Sequence, residues 1–145
     1  EAEKAFLKGE VPIGVVIVKD GKIISKAHNT RRKSKNAVNH AEIIAIQKAC
    51  KRLKDWRLEN AEIYVTLEPC PMCAGAIANA RIRECYFGAF DKSSETDFLK
   101  LIFQDKRLNH KVIYRGGIME EECSKLLTSF FKEKRKTLKN SLHQV

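Results

Sequence analysis

Residues 61–80 read AEIYVTLEPCPMCAGAIANA and residues 84–90 read ECYFGAF. Ala61 to Leu67 reads as a buried strand. Pro69 ends it, because proline has no N–H to offer a ladder. Residues 70–80 are small and helix-compatible, and Glu84 to Phe90 returns to strand character. Strands alternating with helices imply crossovers and a sheet covered on both faces.

The flanks extend the pattern. On the amino-terminal side, residues 2–8 place Ala2, Ala5 and Phe6 on one helical face, with Gly9 as a stop. Val11 to Val18 is a β-branched run, Asp20-Gly21 a hairpin turn, and Lys22 to Ala27 the returning strand. Residues 30–39 are polar and read as loop. From His40 the apolar side chains Ile43, Ile44, Ile46, Ala49, Cys50 and Leu53 recur at helical spacing, with Asn39 a possible cap. On the carboxyl side follow a short helix at Phe98 to Phe103, a strand at Lys111 to Tyr114, and an amphipathic helix from Glu120 to about Leu138. The expected fold is a three-layer α/β/α sandwich with a central sheet of about five strands. One domain is expected over residues 1–145, since neither linker nor repeat interrupts it.

Composition narrows the function classes. The apolar share of 43% suffices for a core, and no run approaches a membrane span. No secretory leader is visible, so a soluble cytoplasmic protein is expected. Glu1 stands where an initiator Met would, which suggests an amino terminus trimmed from a longer chain. The net charge is +10, from 28 Lys and Arg against 18 Asp and Glu. That excess points either to a nucleic-acid partner or to a lysine-rich genome bias. Basic residues cluster at 31–35 and 125–139. Five cysteines without dense spacing do not make a secreted disulfide scaffold. Cys50, Cys85 and Cys123 read as core filler.

Cys70 and Cys73 differ. They open a helix three residues apart, so one turn points both sulfurs to the same side. A helix start also favours thiolate, the form that ligates metal. With His40 they make three N/S donors suited to zinc, and three protein ligands leave a fourth position for water, as catalytic zinc requires. Glu42, two residues after His40, is placed to take a proton from that water. A lone Cys-x-x-Cys could be redox-active or half of a structural zinc site. His-x-Glu followed, after residues 43–68, by Pro-Cys-x-x-Cys is far more specific. The pattern resembles the signature of the zinc-dependent nucleobase deaminases, whose fold is cytidine-deaminase-like.

Over nearly its whole length the chain resembles the bacterial tRNA-specific adenosine deaminases. The matching stretches are Glu10-Val11-Pro12-Ile13-Gly14, Asn29, His40-Ala41-Glu42-Ile43, Tyr64 to Cys70, Cys73-Ala74-Gly75-Ala76, Phe87-Gly88-Ala89, Asn109-His110-Lys111-Val112 and Phe130-Phe131. The resemblance implies a homodimer with one zinc per subunit, bound by His40, Cys70 and Cys73. It implies hydrolytic deamination of the first anticodon adenosine of a tRNA anticodon stem-loop to inosine, with zinc-activated water and Glu42 as proton shuttle. Asn29 would hydrogen-bond the flipped base, and Val11, Pro12 and Ala41 would lie against it. Asp91 and Asn109 would contact neighbouring nucleotides, and Phe131 and Lys134 would meet RNA from the last helix. Core packing explains Phe131 equally well, through its spacing from Leu127 and Phe130. The chain departs from the family at Lys92-Ser93-Ser94-Glu95-Thr96, where a Gly- and Ala-rich loop is usual, and at Asn39, where Ala is common. Two other functions compete: deamination of a free nucleobase or nucleoside such as guanine, cytosine or cytidine, and a non-catalytic zinc-containing RNA-binding subunit.

Overall fold

The computed structural model describes residues 1–93 and 96–143. Its strands are β1 (Gly14–Lys19), β2 (Lys22–His28), β3 (Ala61–Leu67), β4 (Glu84–Ala89) and β5 (Ile113–Arg115). Its helices are α1 (Ala2–Leu7), α2 (Arg31–Ser34), α3 (Ala41–Leu53), α4 (Pro71–Asn79), α5 (Phe98–Phe103) and α6 (Glu120–His143). The strands form one sheet in the order β2-β1-β3-β4-β5. β1 pairs antiparallel with β2 and with β3, whereas β3, β4 and β5 run parallel. The hairpin turns at Asp20-Gly21, both with positive φ (52° and 73°), the backbone form whose twist suits paired strands. The parallel pairs are joined through α4 and α5, as the alternating strands and helices predicted.

Strand alternation decides what each helix layer meets. Val15 and Ile17 of β1, Ile63 and Val65 of β3, and Cys85 and Phe87 of β4 are buried on one face. Ser25, the cross-strand partner of Ile17, donates its Oγ to the Ala45 carbonyl at 2.9 Å and so ties α3 to that face. Phe103, Leu58, Ile77, Ile82 and Leu99 complete this core, all fully buried. Each such side chain contributes roughly 1.5–3 kcal/mol by leaving water. α1 and α6 cover the other face, where glycines permit close approach. A Cβ at Gly14 would lie 2.5 Å from the Ala2 nitrogen, and one at Gly88 would lie 2.3 Å from the Cys123 sulfur. The result is the expected three-layer sandwich.

Several local expectations need correction. β1 begins at Gly14 rather than Val11, because Pro12 cannot donate and Ile13 N closes a three-residue turn onto the Val11 carbonyl at 2.7 Å. The polar segment 30–39 is not all loop, since it contains α2. Asn39 does not cap α3: His40 is the N-cap residue, in extended conformation, with no side-chain cap bond. α6 runs on to His143, and β5 starts at Ile113, later than Lys111. Cys85 is core as expected, while Cys50 and Cys123 are only partly buried. Among the described residues no helix is long and apolar enough to cross a membrane.

Candidate metal centre and its cleft

Two helix starts meet beside the sheet. His40 occupies the N-cap of α3 and Cys70 the N-cap of α4, both in extended conformation just before the helix turns. Pro71 follows at the first helical position, where its fixed φ fits and its missing N–H costs nothing. Cys73, three residues on, faces the same way, and Ala74 N bonds back to the Cys70 carbonyl at 2.8 Å. His40 Nδ1 lies 3.7 Å from Cys70 Sγ and 3.6 Å from Cys73 Sγ. The three ligand atoms fall within 4.8 Å of one another, with Cys73 buried and the other two partly so. One nitrogen and two sulfurs at this spacing fit a soft divalent cation.

The electrostatics agree. Cys70 is held down at about 5, first by a hydrogen bond from Cys73. Cys73 is pushed up, chiefly by the same bond and then by burial. The bond between them favours the charged form on Cys70, the form that binds a cation. Glu42, in the first turn of α3, is 3% exposed, and its Oε1 has no hydrogen-bond partner among the described residues. Burial is the largest cause of its raised pKa, reinforced by the Cys70 charge and opposed by hydrogen bonds to its own backbone and to Cys73. A buried carboxyl oxygen without a protein donor costs stability unless something else comes to it.

His40 opens onto a cleft of about 630 Å³, lined also by Val11, Asn29, Arg31, Arg32, Lys35, Phe131 and Lys134. Asn29 is 6% exposed, and its Oδ1, like Glu42 Oε1, has no partner among the described residues. Val11 and Phe131 also border a second hollow of about 500 Å³, which Asp91 lines. Asp91 accepts from the backbone and hydroxyl of Ser93. Ser94 and Glu95, in the loop that departs from the family pattern, lie outside the described residues. Phe130 is 6% exposed and Phe131 48% exposed; both line the first cleft, and Phe131 also lines the second hollow. Lys134 Nζ sits over the Phe130 ring, 5.5 Å from its centroid.

Three expected site residues are placed differently. Pro12 is fully buried and lines neither hollow, and its carbonyl accepts from Thr66 Oγ1 at 3.4 Å. Ala41 is fully buried in the core cluster and lines neither hollow. Asn109 is exposed in the α5–β5 connection and also lines neither hollow. Conversely, Glu10 and Thr66 had been given no role. Thr66 Oγ1 accepts from Gly14 N at 3.1 Å, so it holds both ends of the Pro12 to Gly14 turn. The sequence signals for Glu10 are a charged residue between Gly9 and an apolar run and its place at the head of the Glu10 to Gly14 stretch that matches the family. A third hollow, about 240 Å³ and lined by Tyr64, Tyr86 and Met119, contains none of the candidate site residues.

Comparison with known proteins agrees with this geometry. The family model described as MafB19-like deaminase matches residues 1–135. The tRNA-specific adenosine deaminase of Bacillus subtilis (strain 168) is 50% identical over 140 residues, covering 96% of this chain and 87% of that protein. A solved structure from work on A-to-I editing by tRNA:A34 deaminases at the wobble position superimposes with a TM-score of 0.81. It is 41% identical, and the match covers 88% of this chain and 93% of that one. A guanine deaminase from Bacillus subtilis aligns less well, with a TM-score of 0.60 and 33% identity over 93% of this chain and 87% of that one. A full-length match in sequence, joined to a close match in backbone, places the chain in the tRNA-specific adenosine deaminase family.

Proposed function

We propose that the protein hydrolyses the exocyclic amine of the wobble adenosine in a tRNA anticodon stem-loop, releasing ammonia and leaving inosine. One observation carries this reading. The His40, Cys70 and Cys73 cluster lies beside a buried Glu42 oxygen that has no partner among the described residues, at a cleft rimmed by cations. Family membership supports it.

His40, Cys70 and Cys73 would hold one zinc ion per chain; their donor types and spacing support that metal. When bound, zinc lowers the pKa of a water molecule and makes it a nucleophile at neutral pH. Glu42 Oε1 takes one proton from the attacking water and delivers it to a ring nitrogen. It then carries the second to the amine as the C–N bond breaks. Adenine and water thus become hypoxanthine and ammonia. Asn29 offers its side-chain amide to the base edge, and Val11 and Phe131 supply apolar walls. Arg31, Arg32, Lys35 and Lys134 attract the phosphates that bring a loop, rather than a free nucleoside, to the cleft. Asp91, beside Phe131 in the second hollow, is placed for a neighbouring nucleotide. We further infer a single domain acting as a cytoplasmic homodimer. The continuous core cluster supports the first point and the family resemblance the others.

The test is direct. Purified protein is incubated separately with an anticodon stem-loop, adenosine, guanine and cytidine, and ammonia and inosine are measured. Inosine at the first anticodon position is the expected result. Ammonia from guanine or cytidine alone would replace this substrate, and metal binding with no turnover on any of them would favour the non-catalytic subunit.

A further inference from the structure

Glu10 has no role in the reaction proposed above, yet it is 2% exposed and its few accessible atoms line the cleft. Its Oε1 accepts from Arg32 N at 2.8 Å and Lys33 N at 2.9 Å. Its own amide donates to the Ala5 carbonyl at 3.0 Å, which ties it to the end of α1. α2 needs such help. It is four residues long, buries no side chain, and has no side-chain cap bond from Thr30. A single turn costs more to nucleate than its own bonds return, and its first amides have no partner inside the helix. A carboxylate withdrawn from water needs donors in turn. The two satisfy each other.

A second tether lies just upstream. Asn29 N donates to the Ile13 carbonyl at 3.1 Å, and the Arg32 guanidinium reaches the Gly9 carbonyl at 3.5 Å. Segment 29–33 is thus fastened to segment 9–13, with Glu10 Oε1 bonded to two of its amides. The fastened segment carries Asn29, whose Oδ1 has no partner among the described residues, and the cations Arg31 and Arg32, with Lys35 just beyond, all lining the cleft.

We propose that Glu10 is a positioning residue for RNA: its carboxylate fixes α2 so that Arg31, Arg32 and Lys35 meet phosphate while Asn29 stays inside the cleft. This rests on the reading that the substrate is RNA. It predicts a defect in substrate capture rather than in bond breaking.

Glu10→Ala and Glu10→Gln are compared with wild type in the zinc-loaded protein, using an anticodon stem-loop as substrate. Glu10→Ala should raise KM about tenfold, lower kcat by less, and flatten the dependence of log KM on log salt, because fewer phosphates are contacted. Glu10→Gln keeps an acceptor oxygen for the two amides and should recover most of the KM. An Arg31→Ala/Lys35→Ala protein should show a similar rise, and adding Glu10→Ala to it should have less than its full effect, since Glu10 acts through those residues. Should Glu10→Ala fail to fold, Glu10→Asp, one methylene short, carries the same expectation. Hydrogen exchange without RNA provides a second readout: the Arg32 and Lys33 amides should lose protection in Glu10→Ala. A variant with lowered Tm and kcat but wild-type KM and salt slope would overturn the proposal, as would unchanged amide protection. Wild-type protein inactive on the stem-loop counts instead against the substrate, and amide exchange then still decides whether Glu10 holds α2.

Discussion

Gly88→Ala places a methyl group where β4 meets α6. The new Cβ would lie 2.3 Å from Cys123 Sγ, 2.8 Å from Cys123 Cβ and 2.9 Å from the Thr66 carbonyl oxygen. Unstrained heavy-atom contacts lie at roughly 3.5–4.0 Å, so the start of α6 must retreat by about 1 Å or more. β4 cannot yield, because it is paired on both sides, to β3 and to β5. A rotamer change could move the sulfur, but two of the three conflicts involve Cβ or backbone. The cost therefore belongs in the upper part of the overpacking range, about 2–3 kcal/mol, or roughly 4–12 °C in Tm for a chain of this size. Thermal unfolding of the metal-loaded protein, followed by circular dichroism, measures it. Because α6 carries Phe131 and Lys134 into the cleft, KM for the stem-loop should rise in parallel. Adding Cys123→Ala removes only the closest conflict and should restore part of the loss. A Gly88→Ala protein melting within about 1 °C of wild type would refute the packing argument.

Glu42→Gln should lower kcat by on the order of 10²–10⁴ while one metal ion per chain remains by elemental analysis; turnover near wild type would remove the proton-carrier role. Chelating the metal should abolish turnover and expose Cys70 to alkylation at pH 7. Because its thiol titrates near 5, labelling should slow as pH falls through that value, and added zinc should block it. Cys85, pushed up to about 12 by burial, should stay unlabelled in the folded protein, and peptide mapping after iodoacetamide distinguishes the two. Phe130→Ala should cost about 3–5 kcal/mol. Phe131→Ala should change stability by no more than about 0.5 kcal/mol yet raise KM for RNA; equal losses of stability would contradict their opposite orientations.

The parts legible in the sequence were those written in local pattern. Pro69 and the apolar runs around it declared β3, α4 and β4, and the spacing of His40, Glu42, Cys70 and Cys73 declared a site before any coordinates. Other features depend on distant partners. α2 exists because Glu10, more than twenty positions earlier, satisfies its amides, so its polar sequence alone reads as loop. Phe130 and Phe131 are equivalent by helical spacing, and only the neighbouring Phe6 ring, 5.7 Å from that of Phe130, shows which one turns inward. Asn109 illustrates the limit of positional analogy: a matching segment need not bring its side chain to either hollow. α6 outran its expected end because no glycine or proline follows Leu138 to stop it.

The candidate metal ligands arise at helix starts anchored on the buried sheet, whereas the cleft's outer wall comes from a tethered four-residue turn and one long helix. Reactivity and selectivity therefore occupy separable pieces of chain. Exchanging segment 29–37 or the outer half of α6 for foreign sequence would re-address the same chemistry to a different polynucleotide, provided the replacement turn still met Glu10.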